Sequence, residues 1–189
     1  MSTTLEEQRE EFVNSKMLAL PISGAIVWLI AGVCGLIFPG RTFLLSMVLF
    51  AATGSVFYLA LLVQRFTGED LLGTKSPGNV FDRIFLAAIA QAMAGFAIAI
   101  PFFLIDRTSL PLSLGVITSL MWIPLSAIIN HWVGYAHFTL RVVGTLALWY
   151  AFEDHRFVTI PFWTVMVYLA TLPILLRRNS ARDNPEKTL

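Results

Sequence analysis

The chain has 189 residues, of which 57% are hydrophobic and only 13% are charged, and its formal net charge is +1. This composition excludes an ordinary soluble domain, and the near-neutral balance excludes a broad basic face for nucleic acid. The single cysteine, Cys34, excludes an intrachain disulfide bond. We therefore expect the chain to lie in a bilayer, with membrane lipids and no nucleic acid as partners.

The first sixteen residues are acidic, unlike the basic start of a secretory signal peptide. Thr4, followed three residues later by Glu7, predicts a capping box that opens a short helix. Phe12 and Val13 belong to a narrow apolar stripe on that helix. We expect residues 1–16 to form a cytoplasmic amphipathic helix on the membrane surface or on the rest of the protein. A solvated lead-in helix is the alternative.

Six apolar blocks follow, separated by short polar seams or turn signals such as Pro39-Gly40. Each approaches the length of about 20 residues that a helix needs to cross a bilayer. The pattern predicts an all-α polytopic membrane protein, with one six-helix transmembrane domain and a basic cytoplasmic tail, 177–189. The predicted spans are about 17–38, 42–64, 81–105, 109–129, 132–152 and 159–176.

The fifth predicted span is doubtful because Arg141 lies near its centre. A central arginine costs about 2.5 to 3.5 kcal/mol on the insertion scale, whereas the eight Leu, Phe and Val residues of this segment return about 2.4 to 4.8 kcal/mol. Six spans give a positive-inside bias and place both termini in the cytoplasm. The cations on the side of the termini are Arg9, Lys16, Arg65, Lys75, Arg83, Arg177, Arg178, Arg182 and Lys187, against Arg41, Arg107 and Arg156 opposite.

Helical spacing aligns polar and small residues on several predicted spans. Helix packing explains such stripes, because small residues let backbones approach and polar ones add interhelical hydrogen bonds. The alternative is a polar cavity or solute path between spans three, four and five. Its candidate lining is Gln91, Ser119, His137 and Arg141.

Arg141 has no carboxylate in any predicted span as an intramembrane counter-ion. Three interpretations are open. The side chain extends to the cytoplasmic headgroups, it is satisfied by interfacial Asp82 or by Gln91 and backbone carbonyls, or it holds an anion such as a lipid phosphate or a carboxylate solute.

Pro124 lies well inside the fourth predicted span. Proline has no backbone N–H and its ring clashes with the preceding turn. We therefore expect a kink near Leu120.

Other chemistry finds little support in the sequence. Asn130, His131 and His137 have no carboxylate or cysteine at ligand spacing, so we expect no metal site. The outer turn at 153–155 (Glu-Asp-His) is typical of a solvated loop, with cation binding or acid–base chemistry as the alternative. Nucleotide-binding and hydrolase motifs do not occur, and we assign no catalytic residue and no cofactor.

Residues 5–12 (LEEQREEF), followed by 24–28 (GAIVW), resemble an uncharacterised family of small bacterial multi-pass membrane proteins, a domain of unknown function. The resemblance implies a bacterial cytoplasmic membrane as the location. It carries no activity and no site residues.

The sequence favours a non-enzymatic integral membrane protein with a structural, regulatory or stress-related role. The alternative is a small-solute or anion transporter or channel-like protein with a polar path near Arg141, working as a homo-oligomer. A third hypothesis is a membrane enzyme that acts on lipid headgroups through Glu153, Asp154 and His155.

Overall fold

The computed structural model describes residues 4–74 and 78–183, and the regular structure in these ranges is entirely helical. The predicted all-α class is confirmed. Seven helices are present in the described ranges, and two of them are interrupted. In chain order they are α1 (Leu5–Val13), α2 (Ala19–Ile37), α3 (Thr42–Thr67), α4 (Val80–Ala94) continued by α5 (Phe96–Ile105), α6 (Leu110–Ile117) continued by α7 (Trp122–Ile129), α8 (Val133–Ala151), and α9 (Arg156–Asp183) after a 3-10 turn (Glu153–His155).

Five of these helices are long and apolar enough to cross a membrane: α2, α3, α4–α5, α6–α7 and the stretch Glu153–Asn179 that contains most of α9. α8 has 19 residues, as α2 does, but it is not in this group. His137 and Arg141 lower its mean hydropathy. By length and composition the described residues therefore give five spans, one fewer than expected.

The interruption between α6 and α7 follows from Pro124. Around it the backbone changes to i→i+3 hydrogen bonds, from Leu120 N–H to Ile117 O at 3.2 Å and from Trp122 N–H to Ser119 O at 3.1 Å. Such tighter turns are common where a regular ladder is broken. The helix is thus interrupted at the position where the kink was predicted, near Leu120.

α1 begins with the predicted capping box. The Thr4 backbone N–H donates to a Glu7 carboxylate oxygen at 2.7 Å, and the Glu7 N–H donates to the Thr4 hydroxyl at 3.3 Å. The helix packs on the bundle, because the buried Phe12 ring meets Phe85 edge-on at 5.7 Å and Arg9 Nε donates to the carbonyl of Ile128 at 3.0 Å. α1 therefore lies on the rest of the protein rather than leading away from it.

Burial divides the helices into two groups. The apolar stretch of α2 is 50% buried and those of α6–α7 and α9 are 44% buried, whereas those of α3 and α4–α5 are only 22% buried. α2 packs mainly against α3 and α9, and α8 packs about equally against α9 and α6–α7. Close approach depends on small residues, since Gly24 lies directly against the Tyr168 ring. Because α8 packs on the more buried helices, we group it with them, and the polar side chains discussed below lie in this group.

The two ends of the described chain meet. Arg178 on α9 donates to the carbonyl of Val13 at 2.7 Å, and the Asn179 amide donates to the carbonyl of Lys16 at 2.9 Å. α9 continues to Asp183 and so includes the first part of the predicted tail, while residues 184–189 lie outside the described ranges. The predicted cations at positions 75 and 187 lie outside them too.

Candidate functional site

α8 presents a polar face to the interior. His137, Arg141 and Thr145 follow one another at intervals of four, which places them on one side of a helix, and their exposed fractions are 1%, 0% and 0%. α9 faces them with three residues of similar spacing, which are also buried. We call the two sets together the polar seam. It consists of His137, Arg141, Thr145, Thr164, Tyr168 and Thr171.

Arg141 is held by hydroxyls and aromatic rings. One guanidinium NH2 group donates to the Tyr168 hydroxyl at 3.1 Å and the other to the Thr118 hydroxyl, which in turn donates to the Leu114 carbonyl at 2.6 Å. The guanidinium carbon lies 5.0 Å from the Trp28 ring centre and 5.4 Å from that of Tyr168. Both distances are within the range of cation–π attraction.

This geometry corrects two of the interpretations of Arg141. The side chain does not extend to the headgroups, because it is fully buried. It is not paired with Asp82 or Gln91 either, since its polar partners within the described ranges are Tyr168 and Thr118. Its charge is thus buried without a carboxylate salt bridge in this part of the chain.

His137 is fixed by a neighbour on each side. Its Nδ1 lies 2.9 Å from the Thr171 hydroxyl, which itself donates to the carbonyl of Val167 at 2.8 Å. The Thr171 oxygen therefore accepts from Nδ1–H, and this assigns the tautomer with Nε2 as an acceptor. The imidazole also stacks on Trp122, with ring centres 3.9 Å apart.

Several buried polar atoms in this region lack a hydrogen-bond partner among the described residues. Buried polar groups are normally hydrogen-bonded, so such a cluster marks a place suited to binding a polar molecule. The atoms are Arg141 Nε, His137 Nε2, Thr145 Oγ1 and Thr164 Oγ1.

Two cavities lie next to one another here. The smaller, about 50 Å³, is lined by Trp28, Thr118 and Tyr168, the three residues that surround the Arg141 guanidinium. The larger, about 340 Å³, lies beneath α1 at the end of the bundle. Both have Leu20, Met121 and Trp122 in their walls. The two cavities are therefore neighbours, and Arg141 itself is in the wall of neither.

A family model described as "Family of unknown function (DUF7010)" matches residues 5–178. The chain belongs to this family. The predicted membership of a family of unknown function is thereby confirmed, and the match itself assigns neither a bacterial source nor an activity. The matched region of this DUF7010 member begins with α1 and ends at Arg178 in α9. No curated protein and no solved structure matches the chain.

The predicted lining residues are only partly brought together. His137 and Arg141 share the polar seam. Ser119 is buried in the turn between α6 and α7, where its hydroxyl donates to the Val116 carbonyl at 2.6 Å. Gln91 lies on the exposed side of α4 and does not join this group. Sequence reasoning missed Thr118, whose position depends on the interruption before α7.

The outer turn forms a separate cavity of about 510 Å³ with Asp106 and Thr108. Arg156 connects this turn to its surroundings. Its guanidinium carbon lies 3.5 Å from the Trp149 ring centre, and it donates to the Thr108 hydroxyl at 2.7 Å. It also forms an ion pair with Glu153 at 3.7 Å. Within the described ranges, no three His, Cys, Asp or Glu side chains are grouped so as to hold a metal ion.

Proposed function

We propose that the protein crosses the membrane six times, with α8 as the additional span and both termini in the cytoplasm. The low mean hydropathy of α8 comes from His137, Arg141 and Thr145, which all face the protein interior. Its outward residues include Val143 and Leu146, which are 61% and 46% exposed. The surface that α8 offers to lipid is therefore apolar, as membrane helices with inward polar residues require.

Length and connection also support this topology. At 1.5 Å per residue, the 19 residues of α8 extend about 28 Å, close to the hydrocarbon thickness of about 30 Å. Only a short turn joins α8 to α9. If α9 crosses the bilayer, the turn and the first residue of α9 lie on one side of it. α8 is then the segment that brings the chain to that side.

Reporter fusions test the topology. We expect a cytoplasm-active reporter to work at both ends of the chain and a periplasm-active reporter to work in the 152–155 turn. Termini on opposite sides of the membrane would exclude α8 as a span.

We infer further that the protein is non-enzymatic and that Arg141 binds a small anion, either a carboxylate or a phosphate. The observation that carries this proposal is the fully buried guanidinium without a carboxylate salt bridge and with an unpartnered Nε. An ion in a low-dielectric interior is costly unless it is paired, so an anion bound there gains a strong interaction. The planar guanidinium suits oxyanions in particular.

The neighbouring hydroxyls favour binding over covalent chemistry. Thr118 and Thr171 each donate to a backbone carbonyl of their own helix. In those hydrogen bonds each hydroxyl proton is directed to a carbonyl rather than to a base, which is unlike the pairing of an activated nucleophile with its base. The cavity that Trp28, Thr118 and Tyr168 line is only about 50 Å³, which leaves no room for a large substrate.

Calorimetry with acetate and inorganic phosphate on the detergent-solubilised protein tests this function. We expect Arg141→Gln to weaken binding at least tenfold, and Arg141→Lys, which keeps the charge, to weaken it less. The matched control is Arg107→Gln, because Arg107 is an exposed arginine that lies 5.5 Å from the Phe43 ring. Equal affinities in the wild type and Arg141→Gln would reject Arg141 as the site.

A further inference from the structure

The cavity of about 340 Å³ beneath α1 differs in charge from the Arg141 site. Its walls carry four carboxylates and a single lysine, Lys16. Two of these carboxylates, Glu11 and Asp70, are close enough to Asp82 to act on it electrostatically. The fourth, Glu69, accepts hydrogen bonds from the first backbone N–H groups of α2 and is thereby held in the wall. A cavity with this wall attracts a cation.

Aromatic rings form another part of the same wall. Phe12 from α1 and Phe85 from α4 meet edge-on there, and Trp122 from α7 lines the cavity as well. Aromatic faces attract organic cations through their quadrupole, and carboxylates add to that attraction. At about 340 Å³ the cavity is within the size range of small-molecule sites.

Trp122 provides an independent observation. Its indole is 2% exposed, and its N–H group has no partner in the described part of the chain. A buried indole N–H normally finds an acceptor. The ring lines this cavity, so a bound molecule with an oxygen acceptor can satisfy the N–H.

The kind of cation follows from the donor set. No three acidic, histidine or cysteine side chains in the described residues are grouped to hold a metal ion. An alkylammonium needs no fixed coordination geometry and matches a wall that is partly acidic, partly aromatic and largely apolar. We propose that the cavity beneath α1 binds an organic ammonium group with an oxygen acceptor a few bonds away, as in an amino alcohol or its headgroup ester.

This site goes beyond the proposed anion site and does not depend on it. The anion is assigned to Arg141 in the bundle interior, whereas the ammonium is assigned to the Asp82 side of the cavity beneath α1. Arg141→Gln should therefore weaken acetate and phosphate binding at least tenfold and leave ammonium binding unchanged.

Calorimetry on the full-length protein in detergent tests the proposal with choline and three relatives. 3,3-Dimethyl-1-butanol has the same shape without the charge, and we expect it to bind at least tenfold more weakly. Tetramethylammonium has the charge without the oxygen, so we expect it to bind more weakly than choline. This loss of affinity should be about as large as the loss that Trp122→Phe causes in choline binding. Equal binding of choline and its neutral analogue would overturn the proposal, because the cavity would then be selecting apolar shape alone.

Variants locate the site. Asp82→Asn should weaken choline binding at least fivefold, and Asp82→Glu should restore most of it. Asp106→Asn, the same change in the outer cavity, should have no effect. If Asp82→Asn lowers stability, Asp70→Asn gives a second measurement in the same wall. Unchanged choline affinity in both variants would contradict the assignment.

A final comparison separates free from lipid-borne ammonium. A short-chain phosphatidylcholine below its critical micelle concentration is measured beside choline, each with the wild type and with Asp82→Asn. An Asp82-dependent signal with either probe supports the site, and the tighter probe identifies the source. If neither probe gives such a signal, the proposal fails.

Discussion

The more buried helices, α2 and α6–α9, and the less buried pair, α3 and α4–α5, both carry polar residues in apolar helices. In the first group Arg141 is fully buried between aromatic rings and hydroxyls, while in the second Gln91 lies on the exposed surface of α4. The same sequence signal, a polar residue inside an apolar block, thus marks a packed interior in one region and an outer face in the other.

The difference matters energetically. A buried guanidinium loses its hydration and depends on each partner the protein supplies, so removing any part of that arrangement is costly. An exposed amide can form hydrogen bonds with whatever surrounds it. Substitutions in the first group should therefore have large effects, and substitutions in the second should have small ones.

Arg141→Ala should give the largest effect. It leaves a void beside Trp28 and removes the donors that meet Tyr168 and Thr118, so we expect a loss of about 2 to 5 kcal/mol of stability. Thermal unfolding in detergent measures the change. Arg107→Ala, at an exposed arginine, should change stability by less than 1 kcal/mol, as is usual for surface positions, and similar losses in both variants would remove the contrast.

Two glycines give a matched comparison of packing. A Cβ at Gly24 overlaps the Tyr168 ring, whereas a Cβ at Gly54 on α3 meets nothing within 4 Å. We expect Gly24→Ala to lower stability by about 1 to 3 kcal/mol and Gly54→Ala to raise it by a few tenths, because alanine favours the helix. The two unfolding temperatures should move in opposite directions. A loss of stability in both variants would show that α3 is packed as tightly as α2.

His131, in the turn between α7 and α8, predicts a smaller, pH-dependent effect. Burial, with the nearby positive charge of Arg178, holds the pKa of His131 below its usual value of 6.5. Its neutral Nδ1 accepts from the Val133 N–H at 3.2 Å. Its contribution to stability should be complete above pH 6.5 and should decrease as the pH falls towards the lowered pKa. Unfolding temperatures between pH 8 and pH 5 measure this, and His131→Asn should show a shallower decrease than the wild type.

Gln91→Leu should have the smallest effect, within about 0.5 kcal/mol of the wild type, because its side chain is exposed and packs little. Thermal unfolding of the monomeric protein in detergent is the measurement. A loss comparable to that of Gly24→Ala would mean that the exposed face of α4 is covered by something in the folded protein.

The local features were the ones that the sequence predicted best. The capping box at Thr4 and the kink at Leu120 each depend on residues a few positions apart, so neighbouring side chains determine them. The surroundings of Arg141 depend on four separate helical segments. Trp28 and Tyr168 belong to the first and the last predicted spans, and nothing in the sequence says that the two rings meet over the same guanidinium.

Gln91 shows why a stripe alone misleads. Small residues and one amide on a helix face suit packing, a polar path and exposure to lipid equally well, and only tertiary contacts distinguish these environments. Thr118 shows the converse. It lies three residues after Gly115 and four before Trp122, so its spacing is ordinary for a helix, and only the fold shows that its hydroxyl contacts Arg141.

The bonds from Arg178 and Asn179 to the carbonyls of Val13 and Lys16 join the first helix to the last. A ribosome makes α1 before α9, so these bonds form only once α9 has been synthesised. Until then α1, which covers the cavity of about 340 Å³, lacks its hydrogen bonds to α9. Synthesis of α9 therefore comes before the cavity reaches its final form.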